Sequence, residues 1–396
     1  MLYNLQILRA LAAYLVFLTH LGQYAGSILP RPDFLAFGAA GVDVFFVLSG
    51  FIMFVSTSGR GEGVGAFLTR RVARVVPVYW LVTGIIALLA LAGLKPIGVM
   101  EFRLEYLIQS LLFVPFSRGG YIEPLVSVGW TLNYEMFFYA VFAGLLLVPV
   151  LAHRVIAAAG IFLVLALLGL LPVSGLYWTF YTKPIVLEFA AGIGLGYAYL
   201  RLPAPAPGFP VRRVAGAAFV AAGLLVLAGQ VTAYALGVEG ELTGFARPLV
   251  WGSAASLVVG AMLLLERSGV TLRSRWLLSQ GNASYSFYLV HNLMLHTTSK
   301  VVALLPVTGA LRVGLIFLIA FTAAALAGEV LFRRVEAPLN AALRRRLDRR
   351  PSPRIRTRVL PAEAETGSAQ ESASRHRLRA RPDRDTIGHG SRALTP

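Results

Sequence analysis

Apolar runs of about twenty residues recur through the first 332 positions of the chain. An α-helix rises about 1.5 Å per residue, so each run is long enough to cross a hydrocarbon layer about 30 Å thick. Because lipid offers no partners for backbone hydrogen bonds, such a chain is expected to fold as membrane-spanning helices. We therefore predict an all-α integral membrane protein, a bundle of about ten transmembrane helices at 5–24, 38–56, 75–94, 130–150, 153–171, 184–200, 212–230, 247–265, 284–305 and 309–332.

The composition agrees with this prediction. Hydrophobic residues make up 57% of the 396 positions and charged residues 14%, which leaves too little polar surface for a soluble domain of this length. The chain has no cysteine, which excludes disulfides, thiolate metal sites and a cysteine nucleophile. The first run has no basic start and contains charged residues, so we expect a span rather than a cleaved signal peptide. Segment 102–116 is interrupted by charges and Pro115, which favours an interfacial or re-entrant piece.

Positive charge alternates between the loops. Loops after even-numbered spans are rich in arginine, whereas the intervening loops carry few basic residues or offset them with glutamate. The positive-inside rule then predicts that both termini lie in the cytoplasm. The arginines that carry this argument are Arg60, Arg70, Arg71, Arg74, Arg154, Arg201, Arg212, Arg213, Arg267, Arg273 and Arg275.

The terminal segment 344–396 has a different composition from the membrane part, 1–343. It holds fourteen Arg against six Asp and Glu, and thus +8 of the formal net charge of +17. It lacks apolar periodicity, so we predict a disordered cytoplasmic tail. Basic segments beside a membrane bind anionic lipid head groups, so we expect membrane lipids rather than nucleic acid as the tail's partner.

Two ionisable residues lie inside the first span, Arg9 and His20. Their separation of eleven residues is close to three helical turns, which puts both on one face about 16 Å apart. Ionisable side chains within a span are costly and commonly mark a functional path or site. From spacing alone, a packing role for His20 within the bundle is an equally good interpretation.

Depth along the spans predicts an outer layer of acid–base groups. A histidine with a nearby carboxylate can act as a general base toward a hydroxyl. The carboxylates can instead hold helices together by hydrogen bonds. The residues at this predicted level are His20, Asp43, Glu135 and Glu188.

The predicted inner layer is basic and includes Arg9, Arg71 and Arg74, with His291 somewhat deeper. Arg71 and Arg74 are spaced i, i+3 and so lie on one side of a helix, an arrangement suited to phosphate. Arginines at a membrane edge also serve as topology anchors, so the sequence leaves that interpretation open. Together the layers predict phosphate binding inside and acid–base chemistry near the outside.

The chain resembles the acyltransferase-three family of membrane O-acyltransferases, which includes exopolysaccharide and O-antigen acetyltransferases and macrolide acyltransferases. The matching motifs follow the family's order over about residues 1–340, and the ordered set is specific although each block alone is loose. The four stronger blocks are residues 9–20, 41–51, 70–80 and 130–139, and the weaker ones are 188–192, 284–291 and 336–338.

This resemblance implies a multi-pass protein of the bacterial inner membrane that uses acyl-CoA, usually acetyl-CoA, as co-substrate and binds no permanent cofactor. The acceptor would be a hydroxyl of a carbohydrate or glycolipid at or beyond the outer face, with polysaccharide-biosynthesis proteins as possible partners. Some relatives carry an added soluble hydrolase-like domain, which the short biased tail of this chain cannot form.

The resemblance implies catalysis by His20 and donor binding by Arg9, Arg71 and Arg74, with His291 assigned to the donor site. We expect Glu135 or Asp43 to orient the His20 ring or stabilise its charged form. The rival interpretation is a transporter or flippase for a lipid-linked sugar, which ten spans and intramembrane charges also suit. Against it, the sequence has no evident internal repeat and no paired helix breaks.

Overall fold

The computed structural model describes residues 2–25, 32–59, 63–94, 102–118, 120–235 and 242–348, all within one unit, Met1–Arg350. The helices are α1 Tyr3–Ala25, α2 Ala40–Thr57, α3 Val64–Leu91, α4 Leu104–Leu111, α5 Trp130–Leu145, α6 Leu151–Leu168, α7 Leu176–Tyr181, α8 Leu187–Arg201, α9 Val211–Ala235, α10 Ser253–Arg267, α11 Arg275–Asn282, α12 Ser284–Ala303, α13 Gly309–Leu331 and α14 Ala337–Asp348.

Shorter elements join these helices. Strands β1 Ser117–Arg118 and β2 Tyr121–Ile122 pair as a small antiparallel hairpin between α4 and α5. Turns of 3₁₀-helix cover Pro32–Ala39, Ser127–Gly129 and Pro184–Val186, and π-helical turns cover Pro248–Gly252 and Phe332–Glu336. Apart from the hairpin, the secondary structure of the described residues is helical, as predicted.

Each of the ten predicted spans coincides with a helix, and seven helices of the described residues are long and apolar enough to cross a membrane. The other three are α5 and α8, of 16 and 15 residues, and α12, whose apolar run is broken by polar residues such as His291 and Asn292. The protein is therefore a membrane protein of the all-α class, with one short hairpin among its described residues, while the count of ten spans and the orientation stay predictions. Helix α4 has eight residues, which is too short to cross a bilayer.

The long helices differ in how much of their surface the protein buries. In the segment Leu35–Thr57, 78% of the most apolar stretch is buried, and in Tyr3–Tyr24 61% is buried. The corresponding share is 22% for Leu151–Leu168, Val211–Ala235 and Gly309–Leu343. Helices α1 and α2 thus form the centre of the bundle, and α6, α9 and α13 present faces rich in exposed Leu, Ile and Val that suit lipid.

Glycines permit a close crossing of α2 and α8. A Cβ atom on Gly50 would lie 2.2 Å from the carbonyl oxygen of Phe189, and one on Gly192 would lie 2.0 Å from that of Val47. Such distances leave no room for a side chain. Without a hydrophobic driving force between helices in lipid, contacts of this small-residue type hold membrane helices together.

The first turn of α1 is fixed by side chains from the α10–α11 region. The carboxylate of Glu266 accepts hydrogen bonds from the backbone N–H groups of Tyr3 and Asn4, at 2.9 and 2.7 Å. These N–H groups have no partner within the helix, and a carboxylate there also favours the helix dipole. The Asn4 side chain bonds the backbone at Val270 and Leu272, each at 2.8 Å. The helix that carries Arg9 and His20 is therefore anchored at its start.

The predicted tail falls almost wholly outside the described residues. Helix α14 continues across the predicted boundary at residue 343 and ends at Asp348. The remainder of the tail, 349–396, lies outside the described residues, so its disorder and lipid binding stay predictions.

Candidate active site

Two histidine rings meet between α1 and α12. The Nδ1 atom of His20 lies 3.3 Å from Nε2 of His291, with the ring centroids 5.0 Å apart. His20 Nδ1 also lies 2.9 Å from the carbonyl oxygen of Val16, one turn earlier in α1. His291 Nδ1 lies 2.7 Å from the carbonyl oxygen of Tyr288. His20 is half-buried, whereas His291 is fully buried.

A cavity of about 120 Å³ lies among α1, α2, α3, α5 and α12. Three guanidinium groups line it, those of Arg9, Arg71 and Arg74, so the arginines that the sequence predicted as a donor site do come together. The remaining wall combines polar and apolar side chains. It is formed by Val42, Phe45, Phe46, Leu48, Ser49, Ile52, Val75, Thr131, Leu132, Glu135, Tyr139, Ser284, Tyr285 and Tyr288.

Hydrogen bonds to neighbouring side chains help to position two of these arginines, Arg9 and Arg71. Arg71 Nη2 donates to the Ser56 hydroxyl at 2.9 Å, and Arg9 Nη1 donates to the Gln6 amide oxygen at 3.1 Å. A guanidinium carries five N–H donors, so a bound anion can be added to these contacts. Three guanidiniums with Glu135 as the carboxylate in the described wall make this an anion-binding environment.

Glu135 belongs to this basic cavity. Its Oε1 atom accepts a hydrogen bond of 2.7 Å from the hydroxyl of Ser49. The sequence predicted a layer that Glu135 shares with His20, on the basis of depth alone. The structure instead surrounds the carboxylate with groups of the arginine cavity, because α5 faces α2 and α3 at this level.

Asp43 forms a buried ion pair with Arg247, which directly precedes the π-helical turn Pro248–Gly252. Its two carboxylate oxygens accept from Nε and Nη2 of Arg247, at 3.2 and 3.0 Å, and Asp43 is fully buried. The Arg247 guanidinium also lies 5.4 Å from the centre of the Trp251 ring. Glu188 is buried beside Gly252 in the same region. The predicted carboxylate partner of His20 is thus replaced in the structure by His291, and Asp43 joins α2 to the α9–α10 region.

The sequence predicts His291 in the donor site with the arginines, whereas the structure places it against His20. The cavity residue from that turn of α12 is Tyr288, whose hydroxyl lies 3.0 Å from the Thr131 hydroxyl and 3.2 Å from the Val128 carbonyl oxygen. Tyr288 and His291 are spaced i, i+3 and so lie on the same face of α12. This spacing is the sequence signal that connects the cavity wall with the histidine pair. The wall residues Ser49, Tyr139, Ser284 and Tyr285 carry no charge signal and were not predicted.

Polar contacts continue beyond the histidine pair. The Tyr24 hydroxyl donates to Oδ1 of Asn292 at 3.1 Å, and Nδ2 of Asn292 donates to the Ser127 hydroxyl at 2.7 Å. In the neighbouring hairpin region Arg118 and Glu123 are 3.8 Å apart. Both side chains are partly withdrawn from solvent. This burial raises the pKa of Glu123 and lowers the pKa of Arg118.

The described residues contain no group of three or more His, Asp or Glu side chains that could hold a metal ion. What the site offers is a histidine pair, hydroxyl groups and a basic cavity whose wall includes Tyr288, one helical turn before His291. This combination suits the transfer of a group from an anionic donor to a hydroxyl.

The acyltransferase-3 family, described as an acyltransferase domain, matches residues 2–334. The chain belongs to this family. The resemblance predicted from the ordered motifs is therefore confirmed, and membership supports acyltransferase activity in a multi-pass membrane protein.

Two curated relatives cover most of the chain. The exopolysaccharide production protein ExoZ of Rhizobium meliloti is 38% identical over 266 residues, which is 66% of this chain and 78% of that protein. Acyltransferase MdmB of Streptomyces mycarofaciens is 26% identical over 328 residues, 72% of this chain and 76% of that protein. Nodulation protein 10 of Rhizobium leguminosarum bv. viciae matches a shorter part, 26% of this chain. No solved structure matches the chain.

Proposed function

We propose that this protein is an inner-membrane O-acyltransferase that moves an acyl group, acetyl in the first instance, from cytoplasmic acyl-CoA to a carbohydrate hydroxyl. The acceptor would be an exported or lipid-linked glycan. The observation that carries the proposal is the cavity lined by Arg9, Arg71 and Arg74, whose wall includes Tyr288, one helical turn before the His291 that contacts His20.

The three arginines of the cavity support binding of the donor's phosphates. Guanidinium groups bind phosphate through paired N–H donors, and the low-dielectric surroundings strengthen such contacts. A cavity of about 120 Å³ is small for a whole acyl-CoA, but it suits a phosphate group or the end of the pantetheine arm. The apolar side chains of the wall, including Phe45, Phe46 and Leu132, would pack against the uncharged pantetheine arm, which would carry the acyl group toward His20.

His20 would act as the general base. It would take the proton from the acceptor hydroxyl as the hydroxyl oxygen attacks the thioester carbonyl carbon. The carbon–sulfur bond then breaks, and the CoA thiolate leaves and takes a proton back from the imidazolium. The products are an ester on the glycan and free CoA thiol, and His20 returns to its neutral form.

The relatives support the choice of acceptor class. One curated relative is an exopolysaccharide production protein, and it is 38% identical over two thirds of this chain. The proposed topology, about ten spans with both termini in the cytoplasm, would put the arginines at the donor side and His20 nearer the outer face. The basic tail would then lie along the anionic inner leaflet.

Transfer can be tested in membranes that carry wild-type protein, His20→Ala or His153→Ala, supplied with acetyl-labelled acetyl-CoA. His153 is an exposed histidine near the start of α6 and serves as the matched control. We expect label in the extracted glycan fraction with wild type and His153→Ala, and none above background with His20→Ala at equal folded protein. Equal label with all three proteins would show that the protein transfers acetyl groups but that His20 is not needed for the transfer.

Release of CoA thiol separates the proposal from a transporter of lipid-linked sugar. An acyltransferase frees thiol from acyl-CoA when acceptor is present, whereas a transporter does not. Movement of the sugar lipid without thiol release, across a range of acyl-CoA donors, would replace the proposed enzyme by the transporter.

A further inference from the structure

We infer that His291 is a positioning residue, which fixes the proton of the His20 ring on Nδ1 and so makes Nε2 the basic atom. The inference rests on the proposed function, since it assigns His291 a part in the reaction that His20 would carry out. It differs from the role that the sequence predicted for His291, which was binding of the acyl donor.

The hydrogen-bond geometry determines where each proton lies. A backbone carbonyl oxygen only accepts, so the His20 Nδ1 atom, 2.9 Å from the oxygen of Val16, must carry a hydrogen. By the same reasoning His291 Nδ1, 2.7 Å from the oxygen of Tyr288, must be an N–H donor. A neutral imidazole has one N–H, so Nε2 of His291 carries a lone pair.

The two rings are therefore complementary. The Nδ1–H group of His20 has two acceptors, the Val16 carbonyl and the Nε2 lone pair of His291 at 3.3 Å. With its proton held on Nδ1, neutral His20 has its lone pair on Nε2. When Nε2 takes a proton from a hydroxyl, Nδ1–H keeps both acceptors, so the charged ring needs no reorientation. In other histidine-based catalytic sites, an orienting group likewise accepts from Nδ1–H and fixes the tautomer of the catalytic ring.

Packing keeps the His291 ring in one orientation. His291 is fully buried, and its ring lies nearly parallel to that of Phe287, at an interplanar angle of 7° with centroids 5.9 Å apart. The Phe17 ring lies on another side, 6.3 Å away. A charge on this ring would be costly in such surroundings and would repel the His20 imidazolium, so the packing favours a neutral acceptor.

The position of His291 also argues against donor binding. Among the described residues that line the arginine cavity, Tyr288 represents this turn of α12, and His291 is not one of them. The nitrogen atoms of His291 are directed to the Tyr288 carbonyl and to His20. The His291 side chain would therefore affect the reaction only by its contact with His20.

Kinetics of purified variants test the positioning role. Phenylalanine at 291 keeps the ring but removes the acceptor, whereas glutamine can place an amide oxygen near the position of Nε2. We expect His291→Phe to lower kcat by about 10- to 100-fold, less than loss of an ionic orienting group, because the Val16 carbonyl still accepts from Nδ1 and keeps part of the rings in the Nδ1–H tautomer. The KM for acyl-CoA should stay within about twofold, since donor contacts are untouched, and His291→Gln should recover part of kcat. His296→Gln, on the same helix, is the control.

Nitrogen NMR of histidine-labelled protein gives a readout that needs no reaction. We expect the His20 signals, assigned from His20→Ala, to report an Nδ1–H tautomer in wild type and a mixture in His291→Phe. An Nε2–H tautomer in wild type would overturn the inference even if transfer is observed. A raised KM with unchanged kcat in folded His291→Phe would overturn it in favour of donor binding. Absence of transfer by wild type would instead reject the proposed function.

Discussion

Each arginine of the cavity makes a separate contribution that substitution can measure. We predict that Arg71→Ala or Arg74→Ala raises the dissociation constant for acyl-CoA by about 10- to 100-fold, because a hydrogen bond to a charged group contributes about 1.5–3 kcal/mol. Arg70 precedes Arg71 but is not among the described wall residues, so Arg70→Ala is the matched control and should change the constant by less than threefold. Isothermal titration of folded protein in detergent gives the values.

Equal and small effects of the three substitutions would show that these arginines act as topology anchors. The lysine replacement at Arg71 adds a second comparison. An ammonium supplies charge without the planar pair of donors, so Arg71→Lys should retain part of the affinity. Full affinity in the lysine variant would mean that charge alone is recognised.

Contacts within one helix could be predicted from the sequence, whereas contacts between distant helices could not. Spacing on one helix correctly brought Arg71 and Arg74 to the same cavity, since the i, i+3 relation is local. Spacing could not predict that Asp43 pairs with Arg247, or that His20 meets His291, because those contacts join helices far apart in the chain. Depth assigns a level in the membrane, but the neighbour at that level depends on helix order and rotation.

At the scale of helices, the crossing of α2 and α8 makes a prediction about stability. A Cβ at position 192 would lie 2.0 Å from the Val47 carbonyl oxygen, so Gly192→Ala must push the helices apart. Overpacking of this kind costs about 1–3 kcal/mol, and the variant should unfold at a lower temperature in detergent. Gly194 is two residues away with nothing within 4 Å of a built Cβ, so Gly194→Ala should unfold no earlier than wild type.

The outcome at Gly192 bears on the site as well as on stability. Helix α2 carries Ser49, which bonds Glu135, and Gly50, which contacts α8. A shift of α2 would therefore alter the cavity wall, and we expect lower acyl-CoA affinity to accompany lower stability in Gly192→Ala. An alanine there that leaves the unfolding temperature unchanged would contradict the close crossing.

The existence of the helices was the most predictable property of the fold. Every predicted span coincides with a helix, because a run of about twenty apolar residues in lipid has few alternatives. The short helices α4, α7 and α11 and the π-helical turn at Pro248–Gly252 were not predicted as such. Their backbone geometry depends on tertiary contacts, such as the Arg247 pair beside that turn, rather than on local apolar pattern.

At the scale of the whole molecule, the composition predicted a membrane protein, and the arginine distribution predicts its orientation. The absence of cysteine makes that orientation directly measurable, since a single introduced cysteine is the one thiol in the chain. Ser174 lies exposed between α6 and α7, and Ala206 lies exposed in the proline-rich loop between α8 and α9. The positive-inside rule assigns Ser174 to the outer side and Ala206 to the cytoplasm.

We therefore predict that a membrane-impermeant maleimide added to spheroplasts labels Ser174→Cys and spares Ala206→Cys. Lysed membranes should give equal labelling of both, which controls for the reactivity of each thiol. The reverse pattern would put the arginine cavity on the side away from cytoplasmic acyl-CoA and would contradict the proposed donor site. Labelling of both cysteines in intact spheroplasts would place positions 174 and 206 on the same side of the membrane. The chain would then cross the membrane an even number of times between them, which would contradict the ten-span arrangement.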